Sequence, residues 1–196
     1  MNRVFSLGGV AASVVLIAVG IGAIVIGASG MSEVHDTVKR EHIVGTPDMT
    51  PQKTGAALKE AGLTDVKAPS CSIAGQAVTD GTKAKCFADY IRVHSLEATN
   101  GQTYAEMPRF LDESGKPVED EAQAAKDPKT GQPVENGQRN LWVTATALST
   151  ALNTSYFAQQ VGLFAIVMGI ALLLTGAGFG VVTLRLLRDR ESAVAA

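Results

Sequence analysis

The sequence predicts a mainly α membrane protein in which two transmembrane helices flank a disulfide-bonded, largely helical extracytoplasmic domain, with room for minor β structure. Three observations predict it. Residues 4–32 and 159–184, runs of 29 and 26, contain no charged side chain, whereas about 20 apolar residues suffice for a helix to cross a bilayer. Arginines stand at the outer ends of both runs, Arg3 before the first and Arg185, Arg188 and Arg190 after the second. Both cysteines, Cys71 and Cys86, fall in the polar stretch between them.

Positive residues beside a membrane span stay in the cytoplasm, and long loops translocate regardless of charge. Residues 1–3 and 185–196 therefore read as cytoplasmic. Residues 4–30 and 159–184 read as spans in the plasma membrane, and 31–158 as the extracytoplasmic domain. The first run also admits a second reading as a cleaved signal peptide, since Gly27, Ala28, Ser29 and Gly30 supply small residues. Its length argues for retention, because a signal peptide's apolar stretch normally runs about 7–15 residues. Outside the cytoplasm a cysteine pair is usually a disulfide; closing Cys71 to Cys86 would stabilise the domain by about 3 kcal/mol in the chain-entropy model. Two unpaired buried thiols are the alternative. Residues 33–158 carry 13 Lys and Arg against 17 Asp and Glu. This acidic balance, without a basic cluster, offers no footprint for nucleic acid.

The elements follow in order. Both runs carry small residues: Ala23 and Gly27 in the first, Gly176 and Gly180 in the second, each a small-xxx-small pair able to bring helices close. They serve either packing between the spans or between two copies, or only the general abundance of glycine in membrane helices, and the second reading weighs more. Residues 32–41 continue the first helix out of the bilayer, and residues 42–45 break it as a short strand. Thr50 and Pro51 start a short helix, 51–61, that ends at Gly62. Residues 67–81 form a loop or short strand. The strongest soluble helix is 84–99, with Phe87, Tyr90, Ile91, His94 and Ala98 on one face and Asn100-Gly101 stopping it. Residues 111–138 read as an exposed, partly mobile loop with a short helix near 118–125. Asp127-Pro-Lys-Thr-Gly within it reads as a turn. From about 139 to about 188 one helix is expected, with Leu141, Ala145, Leu148, Leu152 and Tyr156 on a single face. Its first half would serve as the spine of the extracytoplasmic domain, and Tyr156 and Phe157 fall where an interfacial aromatic belt belongs.

The stretches EHIVGTPDMTP, PSCSIAGQAVTDGTKAKCFADYIRVHSLEATNGQTYAEMPR and LWVTATALSTALNTSYFAQQVGLFAIVMGIALLL resemble a family of two-span actinobacterial membrane proteins. Its hallmark is similar to H-x-L-E-A-T-x-G-x-T-Y-A-E, matched by His94, Leu96, Glu97, Ala98, Thr99, Gly101, Thr103, Tyr104, Ala105 and Glu106. The resemblance covers most of the chain after Glu41. It implies membrane location and this same architecture, and carries over no catalytic residue. Relatives often bear the label aromatic ring-opening dioxygenase.

The residues do not support that label. An extradiol dioxygenase holds iron(II) with two histidines and a carboxylate, and the chain has only His35, His42 and His94. His35 lies among charges. His94 and Glu97 share a helix face, but His94 also sits on the apolar stripe, where a hydrogen-bonded core histidine is the commoner case. The chain contains none of the signatures G-x-S-x-G, H-E-x-x-H, G-x-x-x-x-G-K-[ST] or G-x-G-x-x-G that mark common catalytic and nucleotide sites. No metal and no cofactor is predicted. The densest polar cluster is His94, Glu97, Thr99, Thr103, Tyr104 and Glu106. It is either an interaction surface or a helix terminus whose side chains satisfy backbone groups, and the second reading is favoured. The expected role is a non-enzymatic accessory or scaffold of the bacterial envelope. It would bind other membrane proteins or its own copies; an extracytoplasmic sensor or ligand-binding module is the alternative.

Overall fold

The computed structural model describes residues 3–194, with side chains described for 7–188. The side chains of Arg3 and Arg190, on which part of the expected orientation rests, lie outside the described residues. Four α-helices dominate: α1 (Arg3–Arg40), α2 (Pro51–Glu60), α3 (Gly81–Ala98) and α4 (Gly137–Val194), with a two-stranded sheet of β1 (Phe110–Leu111) and β2 (Pro117–Val118) between α3 and α4. The chain divides into two units, Met1–Asp36 with Phe157–Ala196, and Thr37–Tyr156.

Both long helices run past their apolar stretches without a break, as the absence of proline allows. α1 ends with Lys39 and Arg40 in its last turn, where cations offset the negative end of the helix dipole. His42 then turns the chain aside at φ 50°.

In the first unit the apolar parts of α1 and α4 pack antiparallel along a ladder of small residues. A Cβ on Gly27 would stand 2.6 Å from the Gly162 carbonyl oxygen, and one on Gly20 2.8 Å from that of Gly169. Ser13 Oγ donates to the Gly176 carbonyl at 2.7 Å, and Gly9 abuts Thr183. The rungs recur every seven residues, at 13, 20 and 27 on α1 and at 162, 169, 176 and 183 on α4. Such spacing keeps one seam facing the partner while backbones approach closely. Gly180 lies against Ser13, and Gly176 also meets Ile17. Ala23 is half-buried. The large apolar side chains point outward instead: Leu7, Ile26, Phe164 and Leu174 are 65–72 % exposed. Only 11 % of the most apolar window of either helix is buried, so neither window is enclosed as the core helix of a globular domain would be. Both are long and apolar enough to cross a membrane.

The second unit is built on α3. Asp80 caps it, its Oδ1 accepting from the Lys83 amide at 2.9 Å, so the helix begins three residues before the expected start at 84. Thr50 caps α2 in the same manner, with Pro51 at its first position. The disulfide Cys71–Cys86 ties α3 to the preceding loop. Tyr90, wholly buried, donates its hydroxyl to the Cys71 carbonyl at 2.5 Å, and burial raises its phenol above the usual tyrosine range. Residues 43–45 meet 74–78 through single bridges. Gly45 is obligatory there, since a Cβ would lie 2.1 Å from the Ile73 carbonyl oxygen. Met49, Leu58, Ile73, Val78, Phe87, Val93, Met107 and Trp142 complete the core.

Three expectations need correction. On α3 the expected apolar face is only partly the buried one. Phe87 and Tyr90 are buried, Ile91 and His94 half-buried, and Ala98 exposed. Ala84, Ala88, Ser95 and Thr99 are buried instead, because small side chains permit the closest approach. On α4 the expected face is only partly the buried one. Leu152 is 5 % exposed and Ala145 and Tyr156 are half-buried, as expected, but Leu141 and Leu148 are 44 % and 38 % exposed, and Trp142 takes their place near the start of the helix at 6 % exposed. Finally, 111–138 is mostly exposed as expected, but hydrogen bonds and a short strand pair give it more regular structure than a loop. Leu111 donates to Val134 at 2.9 Å, Ala125 to Leu111 at 2.8 Å, and Val134 to Ala125 at 2.8 Å. The helix expected near 118–125 is a single 3-10 turn, Glu121–Gln123, because Pro117 and Val118 are taken into the strand pair. Asp127 closes its turn by accepting from the Lys129 and Thr130 amides at 2.8 and 2.9 Å.

Candidate functional site

The segment 94–106 divides into residues that end α3 and residues that face outward. Thr99 ends it from within. It is fully buried, and its hydroxyl lies 2.9 Å from the Ser95 carbonyl and 2.6 Å from that of Gln102. Asn100 and Gly101 follow at φ 51° and 81°, left-handed conformations that asparagine and glycine tolerate best. Glu106 then caps the turn. Its Oε2 accepts from the Thr103 amide at 2.6 Å and from the Thr103 hydroxyl at 2.8 Å. These bonds hold the Glu106 carboxyl below the usual carboxylate range. Thr99 therefore ends α3, and Thr103 with Glu106 closes the turn that follows.

His94 is not enclosed in the core. Its side chain is 30 % exposed, and Nε2 stands 3.1 Å from Asp48 Oδ2. The Asp48 carboxyl is lowered first by the Thr46 hydroxyl, against some burial, with His94 and Lys53 adding smaller electrostatic contributions. The contact pins the 46–50 turn to the side of α3. Asp48 is the partner that sequence reasoning missed, because 46 residues separate the two and no local spacing marks the pair. Tyr104 lies beneath a guanidinium, with Arg139 Cζ 4.0 Å from its ring centroid. Glu97 is half-buried.

Beside His94 runs an open groove of about 610 Å³ between α3 and α4, lined by Ile91, His94, Ala98, Leu141, Ala145 and Leu148 among others. Its walls are mainly apolar, with the exposed Leu141 and Leu148 of α4 along one side. Among the described residues no three His, Cys, Asp or Glu side chains converge as a metal site would require. His94 has Asp48 rather than a second histidine beside it.

No protein-family model matches the chain, and no curated protein or solved structure is detectably similar to it.

Proposed function

We propose that the chain is an integral membrane accessory protein of the bacterial envelope, without catalytic activity, that spans the plasma membrane twice with both termini in the cytoplasm. One observation carries the reading. The two apolar helices spend their small-residue faces on each other and turn Leu, Ile, Val and Phe side chains outward, an arrangement that lipid solvates and water does not. The same ladder supports retention of α1, since its removal would leave Gly162, Gly169 and Gly176 without the backbone they fit. The disulfide supports an oxidising location for the second unit. The resemblance to two-span actinobacterial proteins points the same way.

With the small-residue seam already occupied, partners among other membrane proteins would meet the outward apolar faces or the second unit. A sensor or ligand-binding role is the second reading, favoured by the groove beside His94, whose size falls within the roughly 300–1,000 Å³ of small-molecule sites.

Two experiments test the proposal. Cysteines placed at Ser114 and Ser192 should react with an impermeant maleimide in opposite ways: Ser114→Cys in intact cells, Ser192→Cys only after permeabilisation. The reverse pattern overturns the orientation. Purification from native membranes in mild detergent should yield a stable set of membrane partners and no stoichiometric metal. A lone chain with about one iron per molecule would revive the dioxygenase label, and a lone metal-free chain would favour ligand binding.

A further inference from the structure

Near the start of α4 a small cleft of about 140 Å³ opens between the 104–110 segment and the first turn of the helix. Two guanidiniums line it. Arg139 lies over the Tyr104 ring at 4.0 Å and donates through Nη1 to the Met107 carbonyl at 3.1 Å. Arg109 lies over the Phe110 ring, its Cζ 5.3 Å from the centroid. Stacking and the backbone bond fix the plane of the Arg139 fork before any ligand arrives, whereas Arg109 is exposed and, among the described residues, its guanidinium touches only the Phe110 ring. Among the described residues neither guanidinium has a carboxylate within ion-pair reach. That is unexpected in a stretch where Asp and Glu outnumber Lys and Arg by 17 to 13. Glu135 also lines the cleft, but its carboxylate accepts from Asn140 Nδ2 at 3.3 Å. The lining therefore holds two cations and one anion, with a second carboxylate close by, since Glu119 Oε2 accepts from the Arg109 amide at 3.2 Å, and its polar walls exclude an apolar ligand.

We propose that this cleft binds a phosphate group. Arginine forks match phosphate oxygens in bidentate geometry, and two of them line this one small cleft. The volume is well below the 300 Å³ or so at which drug-sized pockets begin, so the site takes one phosphate group rather than a whole nucleotide. The group can come from a soluble phosphate or from a phospholipid headgroup. The site goes beyond the accessory reading and stands without it.

The test uses the full-length chain in neutral-lipid nanodiscs. Calorimetric titration with inorganic phosphate, against chloride at matched ionic strength, should show saturable binding. Arg109→Gln is the informative variant, because the Arg109 guanidinium supports no backbone group. Removing a charged hydrogen-bonding partner should weaken binding about tenfold or more, and Arg109→Lys should restore part of it. The Arg139 variant is read only if its melting transition is unchanged. In nanodiscs containing phosphatidylglycerol, Arg109-dependent enrichment of that lipid, without a response to free phosphate, assigns the headgroup as the source. Saturable binding of free phosphate in neutral lipid assigns a soluble one. No binding in either arm, or binding indifferent to Arg109→Gln in a folded variant, overturns the proposal.

Discussion

Gly169→Ala tests the seam between the two apolar helices. The added Cβ would meet the Gly20 carbonyl oxygen at 2.6 Å, Ile24 Cγ1 at 2.7 Å and the Ile24 amide nitrogen at 3.0 Å. Two of these atoms belong to the backbone, so no rotamer change removes the clash. Reaching the 3.4 Å of ordinary contact requires the helices to part locally by about 0.8 Å. A gap of that size forfeits about a quarter to a half of each dispersion contact around it. Overpacking of this kind costs about 1–3 kcal/mol. Gly178→Ala is the control, because a Cβ there meets nothing within 4 Å. Both variants gain the same helix propensity, about 1 kcal/mol, so their difference isolates the packing cost. Dyes attached through non-natural residues at exposed Leu7 and Leu184, beside the Gly9–Thr183 rung, would report separation of the helices by energy transfer during titration with SDS in mild micelles. Gly169→Ala should part earlier than Gly178→Ala by about 1–3 kcal/mol. Equal midpoints for the two variants refute the packing argument.

Other outcomes follow for the second unit. Replacing Cys71 and Cys86 with serine should lower its stability by about 3 kcal/mol, the loop entropy of a 15-residue separation. Trp142, the chain's only tryptophan and 6 % exposed, should report this as an earlier red shift of fluorescence in denaturant. Thr99→Val keeps the volume but leaves the Gln102 carbonyl without its buried donor, at a cost of about 1–3 kcal/mol, read in the same titration. The carboxyls of Asp48, Glu106, Asp112 and Asp127 are all lowered in the folded chain. As pH falls below their ordinary values of 3.8–4.5, the unfolded chain takes up protons first, and stability drops. The melting temperature should be level from that range up to the ordinary tyrosine value of 10.0, above which the raised Tyr90 phenol costs stability, and should decline below it, and Glu106→Gln should flatten part of the acid decline. A decline that begins near neutral pH would contradict this assignment.

Local signals made most of the helices legible. Thr50-Pro51 and Asn100-Gly101 mark their ends through backbone geometry alone, and the uninterrupted apolar runs fix α1 and the far half of α4. The short-range pattern failed where packing decides. Ala84, Ala88 and Ser95 carry little hydrophobic weight, so the buried side of α3 was invisible to a search for large apolar side chains. Near the start of α4, Trp142 rather than Leu141 is buried, a choice between neighbours that periodicity could not make. The loop at 111–138 has the composition of disorder, yet Asp112 and Asp127 each collect local backbone donors that close it. At the candidate site, the capping roles of Thr99 and Glu106 could be read from their spacing. The His94–Asp48 contact and the Arg109–Arg139 cleft depend on tertiary placement that no local spacing encodes. The seam between α1 and α4 lies in the sequence as a repeat of seven, overlaid by small-xxx-small pairs four apart.

That repeat restricts how the two apolar helices can change length. A seven-residue period in a 3.6-residue helix imposes a left-handed supercoil, with every rung phased to the next. One residue inserted within either ladder would rotate everything beyond it by about 100°, turning bulky side chains inward and glycines toward the surroundings. Seven inserted residues would leave the phase nearly intact. On the proposed membrane reading, thicker or thinner bilayers would be accommodated in whole heptads, each adding about 10.5 Å of helix, or by tilting the pair.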